Sequence, residues 1–152
     1  MIQRDQLASF LDDLLATSGF ADYCPNGLQV EGRATIERLA VGVSANQAFI
    51  EQAVSWGADA CLVHHGFFWK GEPRTVTGYR GRRIKTLVRA DVSLFGYHLP
   101  LDAHAEVGNN AGVLDARGAR RAEPFAGEPP IGWIGELPDD TPRKQVLQRL
   151  ED

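Results

Sequence analysis

Histidine is scarce in this 152-residue chain, cysteine scarcer still, and long apolar runs are missing. The two cysteines, Cys24 and Cys61, stand far apart with no paired spacing, which excludes a disulfide framework, a zinc ribbon and a dithiol redox motif and suits a reducing compartment. No apolar run approaches the ~20 residues that span a bilayer, and the N-terminus lacks the apolar core of a secretion signal. A cytoplasmic protein with no membrane partner is therefore expected. Charge of neither sign dominates: 16 Lys and Arg against 20 Asp and Glu leave a net charge of -4, which argues against a protein devoted to coating nucleic acid. Internal repeats and low-complexity segments are also missing. What is left is an ordinary globular composition, 43% hydrophobic and 24% charged, at a length that suits one α/β domain over residues 1–152.

Against that background the placement of the four histidines carries information. His64 and His65 close the apolar run Ala60-Cys61-Leu62-Val63 and are followed by Gly66. His98 and His104 follow the run Val92-Ser93-Leu94-Phe95, within Gly96-Tyr97-His98-Leu99-Pro100-Leu101-Asp102-Ala103-His104. Neutral imidazole and carboxylate are good ligands for Zn, Fe, Mn or Ni, so both places read as metal-ligand clusters, with Asp102 able to complete a mixed site. Successive side chains of a strand point to opposite faces, so His64 and His65 cannot easily chelate one ion. Three readings stay open: the chain leaves the strand there, the two serve different ions, or only one is a ligand. Gly66 favours the first two, because glycine lets the backbone turn sharply. In the plainest alternative one imidazole is a hydrogen-bonded core group and the other a surface residue. Pro100 is expected to keep His98 and Asp102 off a shared regular helix face.

In chain order, Leu7, Phe10, Leu11, Leu14 and Leu15 predict an amphipathic helix capped by Asp5 and ended near Gly19, with Asp12 and Asp13 on its solvated face. Pro25-Asn26-Gly27 is a turn leading into a short strand ending at Val30. Strands and helices then alternate. Leu39–Val43 is a strand, and Ser44 or Asn46 caps a helix with Phe49, Ala53 and Trp56 on one face, closed by Gly57. Ala60–Val63 is a strand, followed by a helix over Gly81–Ala90 with Ile84, Leu87 and Val88 inward. Val92–Phe95 is a strand, and Asn110–Ala116 a helix ending at Gly118. Alternation of this kind implies crossover connections and a largely parallel or mixed sheet. Both histidine clusters then lie at the carboxyl ends of strands, where open α/β sheets place their sites. Ile131–Leu137 reads as a further strand, and Thr141-Pro142 begins a last helix with an apolar stripe of Val146, Leu147 and Leu150.

Across residues 70–89, between the clusters, Lys70, Arg74, Arg80, Arg82, Arg83, Lys85 and Arg89 are opposed only by Glu72. A solvated basic face is the ordinary reading. The sharper one is attraction of an anionic or phosphorylated substrate, with Arg82 and Lys85 as candidate substrate-binding residues. Phe67-Phe68-Trp69 suits core or subunit-contact packing, and supports nucleic-acid binding by stacking only weakly.

Asn26-Gly27-Leu28-Gln29-Val30-Glu31-Gly32, Val63-His64-His65-Gly66-Phe67-Phe68-Trp69-Lys70-Gly71-Glu72 and the segment Gly96–His104 together resemble the Nif-three-like family, also called dinuclear metal centre proteins or GTP cyclohydrolase 1 type 2 homologs. The resemblance covers about Asp22 to Asn110. It implies an α/β protein with two neighbouring divalent metal ions, assembled into a toroidal homo-oligomer, a hexameric ring with its metals facing inward. It also implies that His64 and His65 each bind one ion, that Asp102 adds a carboxylate, and that His98 lies close by.

Family members continue past this length, and a C-terminal His and Glu complete their site. No histidine follows His104 here, and none of Glu123, Glu128, Glu136 and Glu151 has a matching context. The chain is therefore expected to be the N-terminal part of a longer family member, holding metal incompletely by itself. As an enzyme it would perform metal-assisted hydrolysis of a nucleotide-like or phosphorylated small molecule, with paired ions acidifying a water and polarising the electrophile. His98 or His104 would shuttle the proton. The rival reading is a non-catalytic metal-binding oligomer acting as scaffold, regulator or metal store.

Overall fold

The computed structural model describes residues 1–151, with side chains through residue 148. The chain forms two compact units, Met1–His98 and Leu99–Asp152.

The first unit is built on a four-stranded sheet. Its strands are β2 (Gly27–Val30), β4 (Leu39–Ser44), β5 (Ala60–His65) and β6 (Ser93–Gly96), in the order β2-β6-β5-β4. β4, β5 and β6 run parallel, joined by helices α2 (Gln47–Trp56) and α3 (Gly78–Ala90), while β2 pairs antiparallel with β6. The strand–helix alternation is thus realised as a mixed sheet. β1 (Ile2–Gln3) and β3 (Thr35–Ile36) form a separate two-stranded ribbon.

Burial follows strand position. β6, an inner strand, is buried at all four residues, as expected for a strand covered on both faces. Ile50 of α2, Cys61 of β5, Leu87 of α3 and Leu94 of β6 are fully buried in the core. Each apolar side chain buried this way contributes roughly 1.5–3 kcal/mol. β4, at the sheet edge, alternates and leaves Val41 and Val43 exposed. α2 starts where the Asn46 side chain accepts from Phe49 N–H at 2.9 Å, and it ends on Gly57, whose φ of 81° requires the left-handed region. Trp56 is exposed there and lies under the Arg38 guanidinium.

Two helices bury a different arc from the one their apolar spacing predicts. α1 (Arg4–Leu14) begins after Gln3 without a side-chain cap, and Asp5 lies in its first turn instead of capping it. It ends before a separate 3-10 turn at Thr17–Gly19. Leu11 and Leu15 are buried, whereas Phe10 and Leu14 are exposed. Asp12 is half-buried and accepts from the Tyr97 hydroxyl at 2.9 Å, so it is not a solvated residue. Desolvation, together with that bond, pushes the Tyr97 phenol far above its ordinary value. On α3 the buried arc takes in Arg80 and Leu87 and leaves Val88 exposed. An apolar count misses this, because Arg80 enters the arc with its charge answered by Glu72 at 2.9 Å.

The second unit comprises α4 (Leu99–Ala103), α5 (Asn109–Ala116), the antiparallel hairpin of β7 (Arg120–Phe125) and β8 (Gly132–Glu136), and α6 (Arg143–Glu151). Pro100 falls in the first turn of α4, where its missing N–H costs nothing, and the helix begins only after His98. β7 has no apolar alternation and is almost wholly exposed, which is why its sequence does not announce a strand. On α6, Val146 is half-buried and Leu147 exposed, while the Leu150 side chain lies outside the described residues. Among the described residues no helix is long and apolar enough to cross a membrane.

One buried carboxylate secures the entry to β5. Asp59 accepts from the backbone N–H groups of Glu37 and Arg38 at 2.9 Å and from Arg33 Nη1 at 2.7 Å. Burial alone would raise its pKa, but these three donors outweigh burial and lower it. A folded-state pKa below the unfolded one means stability that is present above the unfolded carboxylate value and lost as the pH falls through the folded one. Asp59→Asn, which turns two acceptor sites into one acceptor and one donor, should cost about 1–3 kcal/mol at pH 7 in urea denaturation. The gap between the two proteins should persist down to about pH 4 and close below it.

Candidate metal centre

Strand β5 continues through both histidines, yet their rings converge. The His64 and His65 ring centroids are 4.4 Å apart, and His98, two residues beyond β6, lies 4.9 Å from His64 and 5.8 Å from His65. One ligand atom from each of the three falls within 4.8 Å of the others. All three are half-buried.

Each imidazole is held at Nδ1 by a protein oxygen. His64 Nδ1 lies 3.0 Å from the Tyr97 carbonyl, His65 Nδ1 3.0 Å from Ser44 Oγ, and His98 Nδ1 2.8 Å from Asp22 Oδ1. A carbonyl or carboxylate oxygen only accepts, so Nδ1 of His64 and of His98 carries the proton. Nε2 then carries the lone pair, which is the tautomer a metal ligand needs. Histidines that bind metal ordinarily donate their other N–H to a carboxylate, carbonyl or water. The donor set therefore fits a divalent cation of the kind that takes nitrogen ligands.

The support for His98 extends into the chain before β2. Asp22, whose side chain is only 3% exposed, also accepts from Asn26 Nδ2 at 2.9 Å, while Asn26 Oδ1 accepts from the His98 N–H at 2.7 Å. Cys24 lies within the same neighbourhood, with its thiol pushed up to about 11 by burial and then by Asp22. Asp22, Cys24 and His98 thus form a second group whose ligand atoms lie within 4.8 Å of one another. Sequence reasoning gave Asp22 no role and gave Asn26 none at the site, only a place in a turn and in a family motif. The signal available was the motif Asn26-Gly27-Leu28-Gln29, whose spacing to His98 no local pattern reveals.

Gln29 fastens the loop that follows the histidines. Its Oε1 accepts from Phe67 N–H at 2.7 Å and its Nε2 donates to the Pro25 carbonyl at 2.7 Å. The amide can lie there only because two neighbours lack a side chain. A Cβ on Gly66 would stand 2.1 Å from Gln29 Oε1, and one on Gly96 2.6 Å from Nε2. The aromatic run beyond Gly66 divides its work. Phe67 is buried in the core, whereas Trp69 stands edge-on to His98 at 4.9 Å and 5.9 Å from His65, walling the imidazole cluster. A cavity of about 300 Å³ opens beside His65, lined also by Ser44, Trp69, Tyr79, Arg80 and Arg83.

Of the residues singled out from sequence, the first unit thus brings His64, His65 and His98 together. Arg82 and Lys85 are exposed on α3 and do not line that cavity. Asp102 and His104 belong to the second unit. Asp102 is half-buried on α4 and accepts from Asn109 Nδ2 at 3.0 Å. His104 Nδ1 accepts from the backbone N–H groups of Glu106 and Val107, both at 3.1 Å, and so ties its own loop.

Comparison with known proteins gives a consistent result. The family model for Duf34/NIF3 (NGG1p interacting factor 3) matches residues 2–152. A protein of Salmonella typhimurium named GTP cyclohydrolase 1 type 2 homolog is 42% identical over 99% of this chain and 60% of its own length. A protein of the same name from Allochromatium vinosum is 50% identical over 95% of this chain and 58% of its own. Among solved structures, protein ybgI, described as of unknown function, superposes with a TM-score of 0.92 at 40% identity, covering 99% of this chain and 60% of that one. One from Thermus thermophilus does so with a TM-score of 0.87 at 38% identity, covering 98% and 60%. The chain spans about 60% of the length of such relatives.

The Gln29 contact leads to a measurable coupling. Gly66→Ala should displace the amide, break both of its hydrogen bonds and cost about 1–3 kcal/mol in chemical denaturation. In a Gln29→Ala background the same substitution should cost clearly less, since the group it collides with is gone. Equal costs in the two backgrounds would contradict this account of Gly66.

Proposed function

This chain belongs to the Duf34/NIF3 family, and from that premise we propose that it binds divalent metal through His64, His65 and His98 and acts as a metal-dependent hydrolase on a phosphorylated, nucleotide-like small molecule. The observation that carries the metal reading is the convergence of three imidazoles, each held at Nδ1 by a protein oxygen. Their position past β5 and β6 adds support, since open α/β sheets bind ligands at the carboxyl ends of their strands. Asp102 enters the proposed ligand set from the sequence motif alone. His98 takes a ligand's role here, more closely than the proton-carrying role its position in sequence suggested.

Two divalent ions, of Zn, Fe, Mn or Ni, would supply Lewis acidity to polarise an electrophile and acidify a water. The chain's own residues do the rest. Asp22 and the Tyr97 carbonyl fix imidazole tautomers, and Trp69 restricts water at the cluster. The name of the relatives, GTP cyclohydrolase 1 type 2 homolog, would make GTP the first substrate to try.

A second reading is a non-catalytic metal-binding homo-oligomer. β4 lies at the edge of the sheet with Val41 and Val43 exposed, an apolar edge of the kind that pairs with another chain. The two readings separate by turnover. Metal-loaded protein assayed against nucleotides and phosphoesters, with His64→Ala as control, should hydrolyse at least one class if the first is right. Full metal occupancy with no turnover on any class would favour the second.

Metal affinity tests the common premise. Asp22→Asn should weaken metal binding about 10- to 100-fold in a chelator competition, because His98 loses the carboxylate that sets its tautomer. Asp102→Asn should lower the number of ions held per chain by elemental analysis. Unchanged affinity in Asp22→Asn would remove His98 from the ligand set.

A further inference from the structure

We infer that the cavity beside His65 is a phosphate-binding subsite and that Arg83, not the exposed Arg82 and Lys85, anchors the anion. The cavity, about 300 Å³, is lined by two guanidinium groups and one carboxylate, those of Arg80, Arg83 and Glu72. Arg80 is already spent. It pairs with Glu72 at 2.9 Å, donates to the Thr75 carbonyl at 2.5 Å, and also donates to the Pro73 carbonyl. Glu72 in turn accepts from Trp69 N–H at 3.2 Å. Arg80 and Glu72 therefore cancel, and the charge left in the cavity is that of Arg83.

Arg83 is placed but not answered. Its Cζ lies over the Tyr79 ring, 4.9 Å from the centroid, a cation–π contact that holds the guanidinium beside the cavity. Its Nε is shielded from solvent and, among the described residues, has no hydrogen-bond partner. A shielded N–H without an acceptor is costly, and native proteins rarely leave one unless a ligand, ion or water supplies the missing oxygen. The guanidinium is planar and presents a rigid fork of donors that matches the oxygens of phosphate. The volume is at the lower end of the ~300–1,000 Å³ of small-molecule sites, enough for a phosphate and part of the molecule it is attached to. Because His65 lines the same cavity, an anion on Arg83 would hold the rest of the substrate toward the imidazole cluster. The inference deepens the hydrolase reading by naming the group that anchors the substrate, and it rests on that reading for the reacting centre alone.

The test uses metal-free protein, so that it does not depend on the metal reading. Inorganic phosphate is titrated into chelator-treated full chain, followed by phosphorus NMR, with acetate as the competing anion. Wild type should bind phosphate saturably, and Arg83→Gln should bind it at least about tenfold more weakly, the loss expected of a charge-assisted fork. Arg83→Lys, which keeps the charge and the stem but not the fork, should fall between the two and guards against a folding defect in the first variant. The doubly neutralised Arg82→Gln/Lys85→Gln protein should stay within about twofold of wild type, since exposed charges are screened. The proposal is overturned if wild type shows no saturable binding, if acetate competes as well as phosphate binds, or if the double variant and not Arg83→Gln loses affinity. Elemental analysis of the same proteins keeps the two ideas apart. Lost phosphate binding with metal uptake intact confirms a separate anion subsite, whereas a wild type that takes up no metal refutes the metal reading and leaves the phosphate result standing.

Discussion

The histidine cluster depends on β5 being an inner strand with a parallel neighbour on each side. Adjacent residues of a strand face opposite ways, and that alternation should have kept His64 and His65 apart. It is overcome at the end of the sheet because each neighbour takes one ring. The carbonyl of Tyr97, just past β6, holds His64, and Ser44, the last residue of β4 and the register partner of His65, holds the other. Two sideways hydrogen bonds thus bring the rings to 4.4 Å while the backbone stays in the strand.

Much of this architecture could be read from sequence because its signals are local. The alternation of apolar runs with amphipathic helices placed β4, α2, β5, α3 and β6 within a few residues. The choice of Asn46 over Ser44 as the α2 cap was left open by type, and it is settled by which side chain is committed elsewhere, since Ser44 Oγ holds His65. What sequence could not show is long-range. Asp12 looked like one of two solvated acids on a helix face, and only the approach of Tyr97, 85 positions later in the chain, takes it out of solvent. Asp22 reaches His98 across a similar gap, 76 positions, and belongs to no spacing pattern that a metal motif would display. β7 escaped for the opposite reason: it is held by its hairpin partner and buries too little to leave an alternating trace.

The basic stretch before and along α3 shows how little a charge count says about roles. Its arginines do different work at neighbouring positions. Arg80 is a buried structural cation that closes its own loop through Glu72 and two carbonyls. Arg83, three residues on and so on the same side of the helix, stacks on Tyr79 and faces the cavity. Arg82 points its charge into solvent. Sequence singled out Arg82 from this patch, and burial and partners instead set Arg80 and Arg83 apart.

The contact of Gln29 with Gly66 and Gly96 has a consequence for how this sequence can change over time. Three positions far apart in the chain are locked into one joint state, in which a long amide excludes side chains from two others. Single steps away from that state are uphill whichever residue moves first: a larger residue at either glycine collides with the amide, and a smaller one at Gln29 strands the Phe67 N–H. The trio should therefore drift as a block, and a designer who wishes to widen the histidine loop must treat it as one mutation in three places.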